Sequence, residues 1–271
     1  MDTIISADGT GVRVYEQGRG PTILIVGPGL DDGTRTKKLA TMLAKRYRVI
    51  RLHRRQYRLD LKTDGAGFSV AQEVDDVLAV AHHVGRPVII YGHSSGATVA
   101  LEALVASQPS FVGAIIFEPA IVVDTPWAGE DNEVITQARA ALYAGKPGKA
   151  MAIFTRYSIG LPAWQARSVG VLTTLVPRYR RLAPSQIDDL QAMDALGPRL
   201  DAYAQIALPT LLLGGDRSPS RLGAPLAALE RVMPNAERAV MHGLDHGADV
   251  KAPKKVARII ETFANKVLEE R

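Results

Sequence analysis

Five residues near the middle of the chain, Gly92-His93-Ser94-Ser95-Gly96, have the form G-x-S-x-G. The apolar run Val88–Tyr91 before them predicts a buried strand, and Gly96–Ser107 after them predicts a helix. A serine on such a sharp strand-to-helix turn has a strained backbone, and the flanking glycines leave room for neighbouring chain. The turn also puts the hydroxyl at a helix N-terminus, where the helix dipole favours developing negative charge. The pattern predicts that Ser94 is a nucleophile.

A serine hydroxyl becomes a strong nucleophile only when a base takes its proton, and histidine suits that role near neutral pH. His246 lies five residues beyond the last predicted strand, Glu237–Met241. His242 follows the same strand directly, which places it too close to the strand end to reach the nucleophile. We therefore expect His246 to be the base.

A neutral imidazole needs an acceptor on its second ring nitrogen, which holds it in one tautomer. Two acidic residues follow predicted strands closely. Glu118 comes directly after Phe111–Phe117, and Asp216 lies in the loop after Thr210–Leu213. A carboxylate at the end of a buried apolar strand is costly unless it is paired, which favours Glu118. Asp216 remains the alternative acid, its other interpretation being a turn residue that caps backbone amides.

Acyl transfer also needs N–H donors for the negative charge that develops on the carbonyl oxygen. One donor is expected from Ser95, the residue after the nucleophile. The other is expected from the glycine-rich loop of residues 27–33, which follows the strand Thr22–Val26. Pro28 has no N–H, so Gly29 or Leu30 is the predicted donor.

The elements that must position these residues alternate between strand and helix. An N-terminal hairpin and then buried strands are predicted at Thr3–Ser6, Val12–Gln17, Thr22–Val26, Arg48–Leu52, Val88–Tyr91, Phe111–Phe117, Thr210–Leu213 and Glu237–Met241. This alternation predicts an α/β fold with a mostly parallel central sheet and helices on both faces. Ligands bind such sheets at the carboxyl ends of strands, where the candidate residues fall.

The alternation stops between residues 119 and 208. Helices without strands are predicted there at Asn132–Ala144, Lys149–Ser158, Ala163–Leu175 and Ser185–Leu196. We expect a helical lid inserted after the sixth strand, with residues 1–118 and 209–271 forming the core domain. Its aromatic residues are candidates for an apolar substrate pocket: Trp127, Phe154, Tyr157, Trp164 and Tyr179.

Composition narrows the class of protein. The chain has 271 residues, 46% of them hydrophobic and 23% charged, so one domain can bury a sizeable core. It contains no cysteine, which excludes disulfides, thiolate metal sites and a cysteine nucleophile. The N-terminus lacks the apolar run of a signal peptide, and no apolar stretch approaches the ~18 residues of a membrane span. We expect a cytoplasmic monomer or homodimer that does not bind membranes.

The net charge of +5 raises the question of an anionic partner. The densest basic segment contains Arg46, Arg48, Arg51, Arg54, Arg55, Arg58 and Lys62. It lacks the interleaved aromatic residues of a base-stacking surface, so we expect no nucleic-acid binding. A solvated basic rim, with some arginines that anchor loops, is the favoured interpretation.

Together, the serine turn, the late histidine and the glycine-rich loop resemble the α/β-hydrolase superfamily over nearly the whole chain. The stretch Gly92–Ala97, with an acid directly after the next strand and the pair Gly29-Leu30, is similar to zearalenone-type lactonases and related esterases. This resemblance supports Glu118 as the acid. Pro28-Gly29 replaces the more frequent His-Gly pair of the oxyanion loop.

The resemblance implies a serine hydrolase that cleaves a small hydrophobic ester or lactone through an acyl-enzyme, with no metal and no cofactor. Other reactions of the same three residues remain open, namely thioester, C–C bond or perhydrolase chemistry. A ligand-binding member with vestigial hydrolysis is the remaining alternative.

Overall fold

The computed structural model describes residues 1–61 and 68–269. Lys62, the last cation of the basic segment, lies outside the described residues. The strands are β1 (Asp2–Ile5), β2 (Gly11–Gln17), β3 (Thr22–Val26), β4 (Arg48–Leu52), β5 (Val88–His93), β6 (Phe111–Phe117), β7 (Thr210–Gly215) and β8 (Ala236–Met241).

The helices are α1 (Lys37–Leu43), α2 (Val70–Val84), α3 (Ser95–Ala106), α4 (Glu133–Tyr143), α5 (Pro147–Tyr157), α6 (Ala163–Leu175), α7 (Pro177–Ala195), α8 (Leu200–Tyr203), α9 (Ser220–Val232), α10 (Ala248–Lys251) and α11 (Pro253–Glu269). Among these described helices, none combines the length and the apolar character that a membrane crossing requires.

The strands form one sheet in the order β1-β2-β4-β3-β5-β6-β7-β8. Strand β2 pairs antiparallel with β1 and β4, and the other neighbouring strands pair in parallel. The predicted mostly parallel sheet is confirmed. Because the parallel strands end at one edge, the loops after β3, β5, β6, β7 and β8 meet there.

Strand β3 shows why the parallel strands are continuous apolar runs. All five of its residues are buried. Ile23 and Ile25 pack in the cluster that contains α1 and α11, whereas Leu24 and Val26 pack in the cluster that contains α2 and α3. Helices cover both faces, so no position of the strand faces water and polar alternation is lost.

The chain between β6 and β7, which we call the inserted segment (residues 119–208), contains α4 to α8. The prediction that its last long helix begins at Ser185 is wrong, because α7 starts at Pro177 and runs through Pro184. Pro184 is exposed and lies within the helix, where it removes a single backbone hydrogen bond. After β8 the chain forms two helices, α10 and α11, which are separated at Ala252. The assignment of the inserted segment as a lid stays a prediction.

Candidate active site

Ser94 lies at the turn between β5 and α3 in a strained conformation, with φ 58° and ψ −128°. Its flanking glycines are required by close packing. A Cβ at Gly92 would lie 2.5 Å from Cα of Ala97, and one at Gly96 would lie 2.2 Å from the carbonyl oxygen of Gly27. The Ser94 N–H donates to the Phe117 carbonyl at 2.9 Å, which ties the turn to the end of β6. Fixed neighbours therefore hold the nucleophile candidate in a conformation that L-residues rarely adopt.

His246 comes from the loop after β8 and pairs with Glu118, which follows β6 directly. Nδ1 of His246 lies 2.6 Å from Oε2 of Glu118, and Oε1 accepts from the Gly215 N–H at 2.8 Å. The Glu118 side chain is 1% exposed, and that of His246 is 24% exposed. The carboxylate accepts, so Nδ1 carries the proton and Nε2 is left as the basic nitrogen.

Two opposing effects set the charge of Glu118. Burial by itself raises the pKa of its carboxyl, but the hydrogen bond and positive charge of His246 and the Gly215 N–H bring it below its ordinary value. Glu118 is therefore ionised at neutral pH. An ionised, buried acceptor orients the imidazole and stabilises the imidazolium that forms when His246 takes a proton.

Two rings pack around His246. His93 stacks on Phe117 with 4.2 Å between ring centroids, and its ring lies edge-on 4.7 Å from that of His246. Burial lowers the pKa of His93 to about 4, although Asp249 lies 3.6 Å from its Nδ1. His93 is therefore neutral near pH 7 and adds no positive charge beside the base.

Ser94 and His246 line the same cavity, of about 620 Å³. Within residues 1–61 and 68–269, no hydrogen bond joins the Ser94 hydroxyl to Nε2 of His246, and neither group is engaged by another side chain. Contacts of this kind tighten in many enzymes only when substrate binds.

The predicted oxyanion donors lie along the same cavity. Gly29, Leu30 and Ser95 all line it, and in the described part of the chain their N–H groups donate to no protein acceptor. Leu30 has a φ of 58°, in the left-handed region, which turns the backbone of this loop. The two donor segments come from the ends of β3 and β5, which are neighbours in the sheet.

The pocket prediction holds for two of the aromatic residues and fails for the others. Trp127 and Phe154 line the cavity. Tyr157 and Trp164 are 58% and 68% exposed and lie outside its lining, as does Tyr179. The apolar lining comes instead from aliphatic and sulfur-containing side chains: Met151, Ile159, Leu161, Val169, Leu190 and Met193. Met151, Val169, Leu190 and Met193 lie on α5, α6 and α7, and Ile159 and Leu161 lie in the loop between α5 and α6.

The alternative acid lies elsewhere. Asp216 accepts from the Gly243 N–H at 2.8 Å and lies 3.1 Å from Nδ1 of His242, a side chain that is 84% exposed. The structure thus brings Glu118, and not Asp216, to His246. Asp216 caps a backbone amide, which is the turn role described for it above.

Sequence reasoning missed a buried charged cluster beside the serine turn. Arg54 is 1% exposed, although it belongs to the basic segment interpreted mainly as a solvated rim. Its guanidinium donates to Glu73, Asp189 and the Ser95 hydroxyl. No local pattern signals this contact, because Asp189 is 135 positions further along the chain.

Residues 23–259 match the model of the alpha/beta hydrolase family. The chain is 25% identical over 259 residues to a 2-(acetamidomethylene)succinate hydrolase of Mesorhizobium japonicum. This alignment covers 93% of the present chain and 91% of that protein.

Two solved structures are similar over nearly their whole length. An alpha/beta hydrolase from Sphaerobacter thermophilus is 26% identical with a TM-score of 0.81, covering 97% of this chain and 99% of that one. A thermophilic esterase from Thermogutta terrifontis is 18% identical with a TM-score of 0.75, covering 98% of both chains. At that identity, the second likeness shows the fold alone.

Proposed function

The chain belongs to the alpha/beta hydrolase family, and from that premise we propose that it is a serine hydrolase of carboxylic esters or lactones. Ser94 is the nucleophile, His246 the general base and acid, and Glu118 the residue that orients His246. The observation that carries the proposal is the 2.6 Å contact between Nδ1 of His246 and the buried Glu118 carboxylate, on the rim of the cavity that Ser94 lines.

The proposed reaction has two halves. Nε2 of His246 takes the Ser94 proton as the oxygen attacks the substrate carbonyl, and the amides of Ser95 and of Gly29 or Leu30 bind the oxyanion. The bond to the leaving oxygen then breaks, and His246 gives its proton to that oxygen. Water, deprotonated by His246, then attacks the resulting acyl-serine. The bond between the acyl carbon and the Ser94 oxygen breaks, His246 returns its proton to that oxygen, and the acid is released. No step requires a metal or a cofactor.

The cavity supports a small hydrophobic substrate. Its wall is largely apolar where the inserted segment covers it, and about 620 Å³ accommodates a ligand the size of a typical small molecule.

A second candidate substrate class carries a carboxylate. Arg217 lines the cavity, is exposed, and makes no ion pair within the described residues. The curated relative is named for hydrolysis of a substituted succinate, which is a dicarboxylate. Hydrolysis of a neutral ester and of its ω-carboxylate analogue by wild type and Arg217→Gln separates the two classes. If the substrate carries a carboxylate, wild type should hydrolyse the ω-carboxylate analogue with a higher kcat/KM than the neutral ester, and Arg217→Gln should reduce this ratio of kcat/KM values about tenfold.

The proposal is tested with a fluorophosphonate probe and a panel of nitrophenyl esters, lactones and matched thioesters. We expect wild type to be labelled and to hydrolyse an ester or lactone, and Ser94→Ala to lose both properties. Faster turnover of the matched thioester would assign the same residues to thioester chemistry. A wild-type protein that neither reacts with the probe nor hydrolyses any member of the panel would contradict the proposal.

A further inference from the structure

The proposed reaction leaves one buried cluster without a role, consisting of Arg54, Glu73, Asp189 and Tyr57, all 2% exposed or less. Arg54 follows β4, and Nε donates to Glu73 at 3.1 Å while an NH₂ group donates to Asp189 at 2.7 Å. Arg54 lies in the loop after β4 and Glu73 lies on α2, whereas Asp189 lies on α7 of the inserted segment. A fully buried ion pair therefore joins the two parts of the molecule.

This cluster also contacts the residue proposed to bind the oxyanion. The Ser95 hydroxyl donates to Oδ2 of Asp189 at 2.6 Å and accepts from Arg54 at 2.7 Å. The single proton of that hydroxyl and one of its two lone pairs are thus engaged, which fixes its side-chain rotamer. Because the side chain is fixed from both sides, the Ser95 backbone N–H is held in one direction as well.

The second arm of the oxyanion site touches the same turn of α7. Gln186 lies so close to Gly29 that a Cβ on that glycine would be 2.1 Å from Oε1 of Gln186. The Tyr57 hydroxyl is 2.6 Å from Oδ2 of Asp189 and 3.1 Å from Oε1 of Gln186. Residues 186 and 189 are one helical turn apart, so one side of α7 touches both donor segments.

We infer that Asp189, supported by Gln186, is a positioning residue through which α7 aligns both oxyanion donor segments, so that the oxyanion site is complete only when α7 is docked on Arg54. This inference rests on the proposed function. It differs from a purely structural role of the ion pair, which would stabilise the fold without a specific effect on the transition state.

Asp194 provides a matched control on the same helix. Its two carboxylate oxygens accept from the N–H groups of Trp127 and Ala128 at 2.8 and 2.7 Å, within the inserted segment and away from Ser95. Asn at either position keeps the shape of the side chain and turns one acceptor into a donor that faces existing donors. Asp189→Asn and Asp194→Asn therefore make the same substitution on one helix, but only Asp189→Asn also disrupts an ion pair and the contact with Ser95.

The experiment compares kcat and KM of wild type and the two variants on one nitrophenyl ester. We expect Asp189→Asn to lower kcat about 10- to 100-fold with KM within about threefold, since misaligned oxyanion donors act on the transition state. Asp194→Asn should change kcat by no more than about threefold. Equal losses of kcat in both variants, or a change confined to KM in Asp189→Asn, would overturn the inference.

A second readout does not depend on turnover. Amide hydrogen exchange of residues 94–99 should be at least about tenfold faster in Asp189→Asn than in wild type and unchanged in Asp194→Asn. Unchanged exchange in Asp189→Asn would count against the positioning role even if no ester is hydrolysed. If Asp189→Asn does not fold, Tyr57→Phe removes one hydroxyl and leaves the ion pair; it should lower kcat about threefold or more, and an unchanged kcat overturns the inference.

Discussion

Two histidine–carboxylate pairs lie at the same edge of the sheet, with their histidines four residues apart in the chain. His246 pairs with Glu118 at 2.6 Å, and His242 pairs with Asp216 at 3.1 Å. The carboxylate of the first pair is 1% exposed and that of the second is 38% exposed. The same two functional groups thus form a pair with a buried carboxylate beside the nucleophile candidate and a pair with an exposed carboxylate away from it.

The surroundings of a histidine–carboxylate pair, and not the pairing itself, decide whether the pair can stabilise charge during a reaction. Water screens the charges of the exposed pair and competes for its hydrogen bonds. Formation of that pair therefore contributes little free energy. The buried pair cannot turn to solvent. Its carboxylate has the His246 ring and the Gly215 N–H as partners, and an imidazolium formed there is stabilised at low local dielectric.

Separate substitution of the two histidines by alanine should give the largest difference in activity between the two pairs. We expect His246→Ala to lower kcat/KM by about 10³-fold or more, because the serine loses its base. His242→Ala should stay within about threefold of wild type. The measurement is ester hydrolysis under substrate-limited conditions, and comparable losses in the two variants would remove the distinction between the pairs.

Substitution of the carboxylates should give the next largest effect. Glu118→Gln keeps the size of the side chain but can leave His246 in the wrong tautomer, with an expected loss of kcat of about 10²- to 10⁴-fold. Asp216→Asn should remain within about threefold. If Asp216→Asn lost more activity than Glu118→Gln, the assignment of the acid would have to be reversed.

A buried and an exposed histidine should also differ in how they couple folding to pH. The pKa of His93 is lowered to about 4 by burial, so the unfolded chain binds a proton between about pH 6.5 and 4 while the folded chain does not. Its contribution to stability is complete above pH 6.5 and falls by up to about 3 kcal/mol as the pH drops to 4. His53, whose pKa burial also lowers to about 4, acts in the same direction.

Urea unfolding at several pH values checks this prediction. His93→Phe keeps a ring against Phe117 and should reduce the loss of unfolding free energy on acidification. His242→Gln, which changes a side chain that is 84% exposed, should leave the pH profile as in wild type. Identical profiles for wild type and His93→Phe would show that burial of this ring does not control acid stability.

The smallest effects are expected for two aromatic residues of the inserted segment, one that lines the cavity and one that is exposed. Phe154 lines the cavity, so Phe154→Ala should raise KM for an apolar ester about three- to tenfold. Trp164 is 68% exposed and outside the lining, and Trp164→Ala should change KM less than about twofold. A larger effect at Trp164 would mean that α6 moves when substrate binds.

The sequence predicted the central part of this arrangement because its signals are local. The strand β6 occurs at the predicted residues 111–117, and β3 at 22–26. A buried parallel strand is a short apolar run, and a serine turn between a strand and a helix requires nearby glycines. Each of these patterns spans about ten residues or fewer, so the local sequence is sufficient to predict the strand or the turn.

The pocket could not be predicted equally well, because which face of a helix is covered depends on its partners. The aromatic side chains of α5 and α6 were expected to line it, but Tyr157 and Trp164 point to solvent. The last long helix of the inserted segment was predicted to begin at Ser185, but α7 begins at Pro177 and contains Pro184. Local propensity is a weak guide wherever tertiary contacts decide the outcome.

Hydrophobic period and backbone sterics are local properties of the chain, and they predict the order of strands and helices, the strained serine turn and the two candidate acids. Which acid reaches His246, and which arginine is buried, depends on the tertiary structure. Glu118 lies 128 residues from His246, and Arg54 lies 135 residues from Asp189. Contacts between residues so far apart depend on the order of the strands in the sheet and on where α7 packs. No short segment of the sequence predicts either of these features.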